Sequence, residues 1–352
     1  MMLRPAGLAV AAALFALPAL AAPTVEKSVK LAPGNLYEIV FNSADGDLYV
    51  AAVGPRSAGA PKIVRVDSAN LASEAEFELD GVGLFGLGLN SRTQTLWGTA
   101  TLAGSVSAID LKTGKVVASV KAGEKAHVRE AIVDEQRDRI YVTVVGGLAD
   151  KAAENPNQVW VIDGATRKLD RIITVPTGQL TGAALDATGE RLFVTGMGAH
   201  EVLAIDLATD KVVGRWPAGG QRPTNIVYDP STRRLFTANQ GTGDMSVLDA
   251  ATGDVVKVVK TGAGALSVAL NPANGQVYVA NRQAGTVTVI DSRTLEVLAD
   301  LKTGTFPQTI AIDRKTGRVF VTNKARGLPR NAPAGTPVPD DPDGDTITLI
   351  RP

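Results

Sequence analysis

Pro223-Thr-Asn-Ile-Val-Tyr-Asp-Pro-Ser-Thr-Arg-Arg-Leu-Phe-Thr-Ala-Asn-Gln-Gly-Thr-Gly-Asp-Met-Ser-Val-Leu-Asp-Ala-Ala-Thr-Gly-Asp-Val-Val-Lys-Val-Val-Lys260 decides the fold. Pro223 to Asp229 alternates apolar and polar residues, as a half-buried strand does. Pro230 to Arg233 carries turn residues, and Arg234 to Asn239 reads as a second strand. Gly241 to Gly243 breaks the pattern before a third, Asp244 to Asp249, and Ala251-Thr-Gly253 before a fourth, Asp254 to Lys260. Four short strands joined by Gly, Asp and Thr turns make one blade of a β-propeller.

Working outward, the unit recurs along the chain. An Asn or Asp closes the first strand at Asn42, Asn90, Asp134, Asp186, Asp229, Asn271 and Asp313. An Asp closes the third at Asp67, Asp110, Asp163, Asp206, Asp249 and Asp291, with Arg351 in the seventh unit. The first column repeats at intervals of 42 to 52 residues, the length of a four-stranded blade. Short carboxylate and amide side chains at strand ends bond nearby N–H groups in turns, so most of these residues read as structural. The expectation is an all-β, seven-bladed propeller of four-stranded antiparallel blades. The seventh unit supplies only three strands (Thr309 to Asp313, Val319 to Asn323, Thr346 to Ile350), whereas Thr24 to Leu31 is a strand with no unit of its own. Because an open ring exposes unpaired backbone edges, the N-terminal strand is expected to complete the last blade.

Residues 1–21 read as an export address: Arg4, the apolar run Gly7 to Leu17, a break at Pro18 and the small-x-small site Ala19-Leu20-Ala21. That run is too short to span a bilayer. The expectation is a signal peptide at 1–21, a single propeller domain at 22–352, a periplasmic or secreted location, and no membrane span after cleavage. The 352 residues contain no Cys and 2 His, and Lys+Arg and Asp+Glu balance at 36 each. Disulfides and thiolate chemistry are thereby excluded, a multi-His metal centre has too few ligands, and no net basic charge points to nucleic acid.

Strand two ends in Tyr278-Val-Ala-Asn281, Phe236-Thr-Ala-Asn239 and Phe320-Val-Thr-Asn323, with weaker forms Phe193-Val-Thr-Gly196 and Tyr141-Val-Thr-Val144. Strands three and four give Ala-Ile-Asp110-Leu-Lys-Thr-Gly-Lys-Val-Val117 and Ala-Ile-Asp206-Leu-Ala-Thr-Asp-Lys-Val-Val213. These segments resemble YVTN-type repeats, and residues 24–352 as a whole resemble the YncE-like family. The resemblance implies a propeller of the cell envelope and assigns no reaction.

The 2–3 loops are expanded at Gly54 to Pro61, Gly146 to Asn157 and Lys324 to Gly344, whereas the 1–2 and 3–4 turns are short. Insertions on one face of a repeat array mark the binding face. There, aligned first strands give one column of Tyr37, Phe85, Arg129, Thr181, Thr224, Leu266 and Gln308. The next column is Glu38, Gly86, Glu130, Gly182, Asn225, Ser267 and Thr309, with His127 just ahead of its strand. The candidate site at the channel mouth is Tyr37, Glu38, Phe85, His127, Arg129, Glu130, Asn225 and Gln308, which suits a polar ligand; the alternative is that Arg129 and the glutamates pair among themselves.

In Asp340-Asp-Pro-Asp-Gly-Asp345, the alternating Asp341, Asp343 and Asp345 resemble part of a calcium loop; the alternative is a solvated acidic turn. No catalytic residue and no other cofactor is expected. The favoured reading is a non-enzymatic binding or scaffold protein with a protein or small-molecule partner in the envelope. A second reading is a lactonase-like hydrolase with a metal in the channel, held by Glu38, Glu130, Asn225 and His127. A third is single-stranded nucleic-acid binding by Arg56, Lys62, Arg129, Arg222, Lys324, Arg326 and Arg330.

Overall fold

The computed structural model describes residues 22–54, 61–123, 126–148, 154–328 and 336–352. The expected export segment 1–21, Arg56, Arg330 and the centres of the three expanded loops lie outside the described residues. The described chain is all-β: 28 strands, β1 to β28 in chain order, fall into seven four-stranded antiparallel sheets. No helix among the described residues is long and apolar enough to cross a membrane.

The innermost strand of each blade is β2 (Leu36–Phe41), β6 (Gly86–Asn90), β10 (Val128–Asp134), β14 (Leu180–Asp186), β18 (Pro223–Asp229), β22 (Ala265–Asn271) and β26 (Pro307–Ile312). Each touches the next, and β26 returns to β2, so the ring is closed. Blades one and two, where the repeat is weakest in sequence, have the same four strands as the rest. The core lies between blades. In one buried cluster Trp97 of blade two packs with Val142 and Trp160 of blade three. In another Leu48 and Val50 of blade one pack with Phe320 and Leu349 of blade seven.

Both ends of the chain build blade seven. β1 (Thr24–Lys30) pairs antiparallel with β28 (Thr346–Arg351), from Thr24 opposite Arg351 to Lys30 opposite Thr346. The sheet order is β1-β28-β27-β26, with β27 spanning Val319–Asn323. Arg351 also forms an ion pair with Glu26 across this join.

The recurrent Asp and Asn columns serve turns. The carboxylates of Asp110, Asp163, Asp206 and Asp249 accept the N–H of Thr113, Thr166, Thr209 and Thr252 at 2.8 to 3.0 Å. Those N–H bonds, and at Asp206 first the Thr209 hydroxyl, hold all four below the usual carboxylate range. Buried Asn42, Asn90 and Asn271 accept N–H groups of the turns that follow them.

The Thr of the repeat has its own task. Five inner strands shift register near their start, between Leu36/Ile39, Val128/Ala131, Leu180/Ala183, Pro223/Asn225 and Ala265/Ser267, and the sixth shifts between Pro307/Ile310. A bulge withdraws an N–H from the ladder. In blades three and four a strand-two Thr takes it: Thr143 Oγ1 accepts the Glu130 N–H at 3.2 Å, and Thr195 Oγ1 the Gly182 N–H at 2.8 Å. The hydroxyls of Thr143 and Thr322 then donate to the next blade, to the carbonyls of Thr181 and Tyr37, both at 2.7 Å.

Candidate functional site: the channel mouth

The bulges create the site. Regular strands send successive side chains to opposite faces, yet Tyr37 and Glu38, Arg129 and Glu130, Thr224 and Asn225, Leu266 and Ser267, and Gln308 and Thr309 line one cavity as adjacent pairs. Each pair falls within or beside a register shift, where the extra residue re-aims a side chain into the channel. Blades two and four offer only Gly86 and Gly182 in the second column, because the next blade leaves no room. A Cβ on Gly86 would lie 2.2 Å from the Arg129 carbonyl oxygen, and one on Gly182 would lie 2.6 Å from Asn225 Cα.

The cavity has a volume of about 390 Å³. Of the sequence candidates, Tyr37, Glu38, Phe85, Arg129, Glu130, Asn225 and Gln308 line it together. His127 does not: its side chain is exposed, and its carbonyl accepts the Val145 N–H at 2.9 Å. The sequence reading left out Met197, Gln240 and Arg282. Each directly follows the strand-two motif, and that position was a readable column. Arg222, considered there only as a basic surface residue, also lines the cavity.

Tyr37 and Phe85 meet edge to face, centroids 4.7 Å apart at 80°, an arrangement that the ring quadrupoles favour. Lys324 lies over the Tyr37 ring with Nζ 3.9 Å from its centroid and also donates to the Tyr37 hydroxyl. Glu130 is held from two sides. Its Oε2 accepts the Ala183 N–H and its Oε1 the Asn225 side-chain amide, both at 3.0 Å, and Asn225 Oδ1 in turn accepts the Val268 N–H at 2.9 Å. This chain ties blades three, four, five and six beneath the mouth.

Burial raises both glutamates. Glu38 is pushed up to about 8, chiefly by loss of water and then by the neighbouring Glu130, against weaker lowering by Thr309 and Arg129. Glu130 is pushed up to about 7 by the same desolvation, against Arg129 and its two hydrogen bonds. Burial lowers Arg129 and Arg282, since a guanidinium too prefers water. Arg129 makes no ion pair within reach of either glutamate.

The acidic loop is placed beside the mouth of blades seven and one. Asp341 accepts the Thr305 hydroxyl at 2.8 Å and the Arg326 N–H at 3.0 Å, and Asp345 accepts the Ala325 N–H at 3.1 Å. Asp341 and Asp345 thus fasten their loop to the strand-two exit. Among the described residues no group of three or more His, Cys, Asp or Glu is placed to hold a metal ion. The bases of the expanded loops share this face: Gly54 donates to the Gly34 carbonyl, Gln179 to the Gly147 carbonyl, and Leu31 to the Asp345 carbonyl.

Closed ring, terminal clasp and polar mouth define a seven-bladed β-propeller with a charged axial cavity. In sequence, the YncE-like beta-propeller family model matches residues 179–330. Uncharacterized protein YncE of Escherichia coli strain K12 is 28% identical over 200 residues, 54% of this chain and 54% of that protein. The Salmonella typhi protein of the same name is 30% identical over 188 residues, 51% of this chain and 50% of that protein. The chain thus spans about half the length of the curated relatives it matches. With the architecture, these matches make the chain similar to the YncE-like β-propellers over about half of its length.

Proposed function

We propose that this protein is an exported, non-enzymatic binding propeller of the cell envelope, with its ligand held in the mouth cavity on the face that carries the expanded loops. One observation carries the reading: five inner strands each turn two adjacent side chains into a single cavity of about 390 Å³. That cavity gathers two glutamates and three arginines, charged groups costly to withdraw from water, beside an aromatic pair. A merely structural channel would be closed by small side chains, as Gly86 and Gly182 close the walls of blades two and four. The export part rests on the leader-like pattern of residues 1–21.

A thermal-shift screen of small polar molecules tests the binding reading. Hits should be lost in Phe85→Ala and Asn225→Ala and kept in Thr252→Ala, which lies in a turn on the opposite face. Hits equally strong in all variants would sink it. N-terminal sequencing of the protein from an envelope fraction tests export; the mature chain should begin at Ala22.

A further inference from the structure

Guanidinium groups removed from water are nearly always matched by a carboxylate or a carbonyl. Of the described arginines held away from full exposure, Arg65, Arg139, Arg171 and Arg318 are in ion pairs. Arg234 donates to the carbonyls of Ser292 and Arg293. Of these partly buried arginines among the described residues, Arg129 and Arg282 alone have neither kind of partner, and both line the mouth cavity. They approach from blades three and six, across the ring. Arg282 lies over the Phe306 ring at 4.8 Å, which fixes its plane and leaves its N–H edge unused. A third guanidinium, that of Arg222, lines the same cavity from the rim, where it donates to the Met197 sulfur at 3.6 Å.

We propose that the mouth cavity takes a small organic oxyanion, a carboxylate or a phosphate ester, gripped between Arg129 and Arg282 with Arg222 at the entrance. This rests on the reading of the cavity as a ligand site. The paired oxygens of a carboxylate or a phosphate match the guanidinium fork, and two forks can share the oxygens of one such group. The glutamates oppose it little, because burial raises both and leaves Glu130, at about 7, only partly ionised at neutral pH. Glu130 directs both oxygens at Ala183 and Asn225. Glu38, raised by burial to about 8, is a neutral acid at neutral pH and offers the anion a donor. Tyr37 and Phe85 give the organic part an aromatic wall.

Calorimetric titration in phosphate-free buffer with phenyl phosphate, benzoate, inorganic phosphate, benzylamine and a thymidine oligonucleotide of about ten residues tests the assignment. Phenyl phosphate and benzoate should bind and benzylamine should not. The stronger of the two anions reveals whether phosphate ester or carboxylate is the better fit. Arg129→Met and Arg282→Met should each weaken anion binding by about 10- to 100-fold, the range for a lost charged hydrogen bond. Arg282→Met should melt no lower than the parent chain, since a buried charge without an ion pair has been removed.

Benzylamine binding that disappears in Glu38→Gln would overturn the anion while leaving the cavity as the ligand site. Anion binding unchanged in both arginine variants and in Phe85→Ala would remove the site as well. Oligonucleotide binding without phenyl phosphate binding would also overturn the proposal, because the grip would then need a polymer.

Discussion

Replacing Glu38 by Gln should stabilise the protein, and by an amount that grows with pH. In the unfolded chain a glutamate titrates near 4.5; in the mouth Glu38 titrates near 8. The folded state therefore holds a proton that the unfolded state gives up between those values. Below pH 4.5 both states are protonated and Glu38 carries no penalty. Stability then falls as pH rises towards 8, because unfolding releases the proton. At about 1.4 kcal/mol per unit, the penalty approaches ~3 kcal/mol at pH 7 and ~5 kcal/mol above pH 8. Gln keeps the shape and polarity of the neutral acid and cannot ionise. With ~2.1 cal/mol/K of unfolding entropy per residue over 352 residues, 1 kcal/mol corresponds to about 1.4 °C. Calorimetry should find Glu38→Gln equal to the parent at pH 4 and about 6–7 °C more stable at pH 9. A gap that stays flat with pH, or a variant that is less stable at pH 9, would refute the reasoning. Glu38 would then be ionised in the fold and held so by Arg129.

Thr143→Val removes a fully buried hydroxyl that accepts the bulge N–H of Glu130 and donates to Thr181. It should cost about 1–3 kcal/mol in urea unfolding, and an unchanged midpoint would deny the bulge its cap. Gly182→Ala forces a Cβ to within 2.6 Å of Asn225 Cα and should destabilise by about 1–3 kcal/mol while shifting Asn225 and weakening any mouth ligand. A normal melting temperature would show that blades four and five part easily. Deleting residues 24–31 exposes the β28 edge and should abolish the cooperative transition seen by circular dichroism; a sharp melt near that of the parent would show that the ring closes without the clasp. Millimolar calcium should leave the melting temperature unmoved, since Asp341 and Asp345 already accept N–H and hydroxyl groups of their own chain. A rise of several degrees that Asp343→Asn removes would refute that.

The ring was legible because each blade repeats its turn chemistry, and the column from Asp67 to Asp291 marks the same strand end six times. The clasp was legible as a deficit, one strand too few at the end and one too many at the start. The mouth was legible only in part. Two neighbouring columns are visible in an alignment of repeats, but nothing in Arg129-Glu130 or Tyr37-Glu38 states that a bulge turns both inward. That depends on an N–H captured by a Thr on another strand. His127 stays outside the cavity for a related reason: it precedes β10 and the register shift that turns Arg129 and Glu130 inward, and its side chain is exposed. Arg282 went unread because it follows a motif whose Asn281 drew the attention, although Gln240 and Met197 occupy the same place in other blades.

The clasp also sets a timetable. β1 is the first strand of the ring to be synthesised and its partner β28 the last, so β1 must wait, edge open, until six blades and most of a seventh have followed it. Earlier blades can stack on one another as they emerge, but the circle has no lock until residues 346–351 arrive. A ribosome stalled anywhere upstream of Thr346 would hold an arc with two raw ends, and loss of the last few residues would do the same damage as loss of the first.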